Sequence, residues 1–156
     1  MKLYVEQKKF SLKRTFNIKN ENNEMIYELV SNSYGNGITL LTSNNEEIAN
    51  IDLKYINLNS YYSISIKNKL SCSMYRKINL FKYEYQLDNG YKVIREIAKP
   101  NYTIYDQNSN IIGIINKRII AMTNTYDINI IDENNKEMVL SIFAAICNDN
   151  MITDND

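Results

Sequence analysis

Apolar and polar residues alternate with a period of two along most of the chain, and the alternation breaks off once, near the end. From Leu3 to Lys9 the pattern is that of a half-buried strand, and a repeated unit follows: strand, tight turn rich in Asn, Asp or Glu, returning strand, basic residue. The units pair Phe16–Asn20 with Met25–Ser31, Ile38–Thr42 with Glu47–Lys54, Tyr61–Lys67 with Leu70–Arg76, Lys82–Leu87 with Tyr91–Ile97, and Tyr102–Asp106 with Ile111–Lys117. The fourth turn, Asp88-Asn-Gly90, is a strong hairpin signal because Asn and Gly tolerate positive φ. A last unit opens with Tyr126–Ile131 and the turn Asp132–Asn135. Its returning strand is replaced by Glu137–Asn148, which contains Met138-Val-Leu-Ser-Ile-Phe-Ala-Ala-Ile-Cys147. That run is apolar on every side and rich in helix formers, which predicts a helix surrounded by protein.

The pattern therefore predicts a mainly β protein, about twelve antiparallel strands closed into a barrel around one apolar C-terminal helix. Alternation places Phe16, Ile18, Ile38, Leu40, Ile51, Leu53, Tyr62, Ile64, Ile66, Leu70, Cys72, Met74, Tyr83, Tyr85, Val93, Ile104, Ile128 and Ile130 on the inward face. The helical run is too short for a transmembrane segment, which needs roughly 20 apolar residues. An outer-membrane barrel has a polar lumen and strands of about 9 to 11 residues, and an apolar helix does not belong in such a lumen.

With 156 residues the chain reads as one domain over 1–150 with a short acidic tail at 151–156. Lys plus Arg and Asp plus Glu balance at 18 each, so no net field draws the molecule toward nucleic acid, and an anion site has to come from local segregation of charge. No basic and apolar leader opens the chain, so a cytoplasmic location is expected, with Cys72 and Cys147 reduced as small buried hydrophobes; a meeting of the two inside the barrel is the alternative. The absence of His removes the usual general base and the commonest transition-metal ligand. The 13 Tyr suit half-buried strand positions with the phenol at a wet rim.

Candidate chemistry is sparse. With 4 Gly there is no phosphate-cradling loop. Asp106-x-Asn108-x-Asn110 starts like a calcium loop, but Ile111 stands where Gly is required and Lys117 where the closing Glu belongs, so a hairpin turn is expected. Asn101-Tyr-Thr103 is a glycosylation triplet only in a secreted chain. Glu46 and Glu47 lie in a turn and form no acid/base pair. No catalytic residue, cofactor or metal is expected.

The hairpin series closed by an apolar helix, with Val5-Glu-Gln-Lys-Lys-Phe-Ser-Leu12, Phe16-Asn-Ile-Lys-Asn-Glu-Asn22 and Tyr102-Thr-Ile-Tyr-Asp106, resembles the LURP-one-related (YxjI-like) family over nearly the whole chain. The resemblance implies a tubby-like fold, a twelve-stranded barrel around a central helix, related to tubby C-terminal domains and phospholipid scramblases. Among those relatives tubby domains bind phosphoinositides through surface Lys and Arg, and scramblases act at membranes. No residue of this chain matches those sites one for one, and the resemblance carries no catalytic motif.

In an up-and-down barrel alternate connections lie at opposite ends. The tight-turn end collects Glu21, Glu24, Glu46, Asp88, Asp106, Asp132 and Glu133. The other end collects Lys8, Lys9, Lys13, Arg14, Lys54, Arg76, Lys77, Lys82, Lys117 and Arg118, interleaved with Phe10, Tyr55, Phe81 and Ile119. Such a rim suits an anionic phospholipid surface or another anionic ligand, engaged peripherally at the inner membrane face. Lysines at strand ends are also ordinary edge-protecting charges. The acidic tail Asp149, Asp154 and Asp156 is expected to emerge at the same end and partly neutralise it. The expectation is a monomeric, non-enzymatic binding module, with a protein-binding regulatory module as the alternative.

Overall fold

The computed structural model describes residues 1–7, 14–78, 82–96, 98–99, 101–120 and 123–153. Twelve strands run in chain order: β1 (Lys2–Gln7), β2 (Thr15–Lys19), β3 (Met25–Ser31), β4 (Gly37–Thr42), β5 (Glu47–Ile56), β6 (Asn59–Ile66), β7 (Leu70–Ile78), β8 (Lys82–Leu87), β9 (Lys92–Glu96), β10 (Asn101–Tyr105), β11 (Ile111–Ile120) and β12 (Thr123–Ile130). A single 3-10 turn, Glu133–Asn135, leads into one helix, α1 (Lys136–Thr153). Each strand is antiparallel to its sequence neighbour, and β1 closes on β12 with Leu3 opposite Ile128 and Val5 opposite Tyr126. The closed antiparallel barrel around a C-terminal helix is the predicted architecture.

The turns at one end repeat one device. Asn20, Thr42 and Asp106 each turn a side-chain oxygen back to accept from the backbone N–H groups two and four residues on. Asn23, Asn45 and Ser109 then take positive φ, 64°, 63° and 66°, and a bulge follows where the returning strand rejoins the ladder. Asp106 also accepts from the Asn110 amide, and these bonds hold its carboxyl below the usual carboxylate range. Residues 106–110 thus form a hairpin turn, as expected.

The core is the barrel's interior. Ile18, Leu40, Ile51, Ile64, Met74, Val93 and Ile104 line the wall, and every residue from Met138 to Cys147 is buried against them. Phe143 meets Tyr126 edge to face at 5.1 Å. Ser141, the polar exception in the run, donates to the Glu137 carbonyl one turn back. Gly113 lies where a Cβ would stand 2.9 Å from a Val139 methyl, so β11 and α1 approach as closely as they do because a side chain is missing. Cys72 and Cys147 are both free; burial pushes the Cys72 thiol up to about 11 and raises Cys147 further.

Three expectations need correction. Leu70, placed inward by alternation, opens β7 at the turn end and is 38% exposed, since the wall no longer encloses it there. The stretch Tyr55–Ser60, read as a longer connection, is strand up to a two-residue turn, with Asn57 at φ 56°. The helix does not end at Asn148 but continues to Thr153, and Asp149 is a buried helical residue instead of the start of an emerging acidic tail.

Candidate functional site at the loop end of the barrel

The connections after β1, β3, β5, β7, β9 and β11 share the end at which α1 finishes. Of the predicted cations there, Lys8, Lys9 and Lys13 lie outside the described residues, as do Phe10, Phe81, the Ile119 side chain, Asp154 and Asp156. Arg14 precedes β2 and is half-buried, its backbone N–H donating to Ser31 Oγ at 3.0 Å. Lys82 pairs with Glu84 at 3.0 Å, and Arg118 pairs with Asp127 on the adjacent strand. Lys117 is half-buried beside the Cys147 thiol, whose ionisation its charge favours. Lys54 and Lys77 are exposed; Lys77 stands opposite Glu84 on β8, whose carboxyl the Gln86 amide holds below its usual range with help from Lys82 and the Lys77 charge.

Of the ten cations expected at this end, Arg76, Lys82 and Arg118 are ion-paired with carboxylates of the barrel. The turn end is not purely acidic either, since Lys19, Lys67, Lys69 and Lys92 stand at it beside Glu21, Glu24, Glu46 and Asp88.

Inside the mouth is a cluster that the sequence does not announce. Asp149, in the last turns of α1, accepts from Tyr62 Oη at 2.7 Å, from Tyr85 Oη at 2.7 Å and from Arg76 Nη1 at 3.1 Å. These partners sit on inward positions of β6, β8 and β7, so one carboxylate ties the helix to three consecutive strands. An Asp near a helix C-terminus opposes the helix dipole, and the Arg76 charge with two hydroxyl donors offsets that. Burial, then the nearby Asp149 charge, pushes the Tyr62 and Tyr85 phenols well above their ordinary value. They are donors at neutral pH and not nucleophiles.

Beside this cluster Arg95 lies over the Tyr83 ring at 5.4 Å and the Tyr102 ring at 5.5 Å. Its Nε and both amide atoms of the buried Asn148 have no hydrogen-bond partner among the described residues. On the outside, an open cleft of about 800 Å³ is lined by Ile56, Leu58, Tyr75, Arg76, Lys77 and Gln86, so Arg76 is shared between the inner cluster and the surface. Among the described residues no three His, Cys, Asp or Glu side chains converge as a metal site. No helix among them is long and apolar enough to cross a membrane.

Sequence reasoning missed Asp149, Tyr62, Tyr85 and Arg95 as one assembly. The available signal was that Tyr62, Arg76, Tyr85, Arg95 and Tyr102 fall on inward positions close to one end, where the polar Asn148-Asp-Asn150 follows the apolar run.

A solved structure of a protein from Arabidopsis thaliana shares the fold, with a TM-score of 0.57 at 9% identity, covering 93% of this chain and 91% of that one. No curated protein matches the chain in sequence. The family model described as LURP-one-related matches residues 1–147, and the chain belongs to that family.

Proposed function

We propose that the protein is a monomeric, non-enzymatic binding module of the cytoplasm whose loop end docks peripherally on anionic phospholipid. The observation that carries this reading is the exposed pair Lys54 and Lys77, on the same sector of the rim as the cleft that Arg76 lines. A cation at an anionic membrane surface contributes about 1 kcal/mol. Two or three such contacts hold a protein weakly, reversibly and with strong dependence on salt. Of the ten cations expected at this end, Lys54, Arg76 and Lys77 belong to the docking face, whereas Lys82, Lys117 and Arg118 serve the barrel wall.

Co-sedimentation with neutral and anionic vesicles at low and high salt tests the reading. Binding to anionic vesicles alone, abolished by salt and by Lys54→Glu with Lys77→Glu but kept by Arg118→Glu on the opposite wall, is the expected result. Equal binding to neutral vesicles, or indifference to the Lys54 and Lys77 reversals, would overturn it. A protein-binding module predicts instead capture from lysate that survives raised salt.

A further inference from the structure

The β5–β6 hairpin outruns the ladders on both its sides, and by one rung more than the β11–β12 hairpin does. β4 stops pairing with β5 at Gly37 opposite Asp52, and β7 stops pairing with β6 at Met74 opposite Tyr62. The β5–β6 ladder continues past both, through Lys54 with Tyr61, Tyr55 with Ser60 and Ile56 with Asn59. Three rungs at about 3.4 Å each make a two-stranded ribbon about 10 Å long that has left both neighbouring ladders, while β7 runs on to Ile78 paired with β8 and faces the ribbon across the open cleft.

A ribbon exposed to water is expected to be polar throughout, and this one interleaves large apolar side chains with its polar ones. Leu58 at its tip is 100% exposed, Tyr55 68% and Ile56 54%, and Tyr34, on the turn between β3 and β4 two strands away, is 91% exposed. Tyr61 stacks on Tyr75 at 5.3 Å at the ribbon's base, which braces it against β7. Most of the wall's apolar residues are inside, so Leu58 and Ile56 remain largely in water.

We infer that the β5–β6 ribbon is a finger that inserts Ile56 and Leu58 into the headgroup and acyl boundary of an anionic bilayer, with Tyr34 and Tyr55 at headgroup depth. The inference rests on the docking face proposed above. A bilayer is favoured over a protein partner by charge complementarity: Lys54 is at the ribbon's base and Lys77 on the neighbouring strand, where they meet lipid phosphates while the tip is immersed. Tyrosine, apolar in its ring and polar at its tip, suits that depth. Asn57 and Asn59 stop the finger at the boundary, as for a peripheral protein.

The chain contains no Trp, so Leu58→Trp introduces a sole indole at the tip. With phosphatidylcholine vesicles containing phosphatidylglycerol, its emission is expected to shift to the blue and to be quenched by brominated acyl chains. Leu58→Asp is expected to weaken binding to the same vesicles by about tenfold or more, from the burial of a single Leu side chain. Both substitutions fall on a fully exposed residue outside the core, and circular dichroism of each variant verifies the fold.

Vesicle binding without quenching, or binding unchanged by Leu58→Asp, would overturn the finger and leave the cationic docking face standing. Failure of the unaltered protein to bind anionic vesicles at low salt would overturn both.

Discussion

The Tyr85 hydroxyl donates to the Asp149 carboxylate at 2.7 Å, joining the wall of the barrel to the end of the helix it encloses. With Tyr62 and Arg76 on the same carboxylate, this is the polar counterpart of the apolar packing further down the helix. Its removal is not a surface event, because Asp149 and both tyrosines are buried.

Asp149→Ala leaves Arg76 without its counter-charge and two buried hydroxyls without an acceptor, and is expected to cost about 2–4 kcal/mol. Tyr85→Phe, which removes one donor, is expected to cost about 1–2 kcal/mol. Thermal denaturation of both variants gives the ranking, and an Asp149→Ala protein with unchanged melting temperature would dispose of the tie.

Alkaline pH is expected to weaken the fold. The buried Tyr62, Tyr85 and Tyr102 phenols and the Cys72 and Cys147 thiols are all raised, chiefly by burial. Their stabilising share is complete below the pKa values of the unfolded chain, near 8.5 for Cys and 10 for Tyr. Above those values the unfolded chain loses protons that the folded one keeps, so stability falls as pH rises, by up to about 1.4 kcal/mol per pH unit for each group. Denaturant titrations from neutral to strongly alkaline pH should show this slope, and Tyr62→Phe should flatten it.

Phe143→Asp puts a charge at the centre of the barrel and is expected to abolish soluble expression. Phe143→Ala leaves a cavity against Tyr126 and is expected to cost about 3–5 kcal/mol, or roughly 10 °C in a domain of this size. A Phe143→Asp protein that melts at the native temperature would refute the enclosed helix.

Gly113→Ala drives a methyl into Val139, and overpacking of this kind costs about 1–3 kcal/mol. Adding Val139→Ala makes room. The double variant is therefore expected to be less destabilised than the sum of the two single ones, a coupling read directly from a double-mutant cycle. Strict additivity would mean that the two residues do not share the space.

Periodicity alone reached the strands, their sequential pairing and the helix, because alternation and an all-round apolar run are local signals carried by residues such as Ile64, Met74 and Phe143. Asp149 was not legible in the same way. It sits in a polar stretch after the apolar run, which resembles any solvated tail, and its partners on β6, β7 and β8 converge only once the barrel has closed around the helix. The ion pairs within the cationic rim were hidden for a related reason. Arg118 looks free in sequence, and Asp127 neutralises it only through the register of β11 against β12. The β5–β6 ribbon was hidden because Tyr55–Ser60 reads as a connection, although Asn57 carried the turn.

The helix follows all twelve strands in the chain and supplies the filling of the barrel they form. On a ribosome the wall is therefore made first and stays hollow until its plug appears. Adjacent hairpins can zip up as they emerge, since each strand pairs with its predecessor, but closure of β1 on β12 has no interior to stabilise it before residues 138–147 arrive. A nascent chain paused at β12 should thus be an open, sticky sheet, and commitment to the native barrel should be a late, all-or-none event.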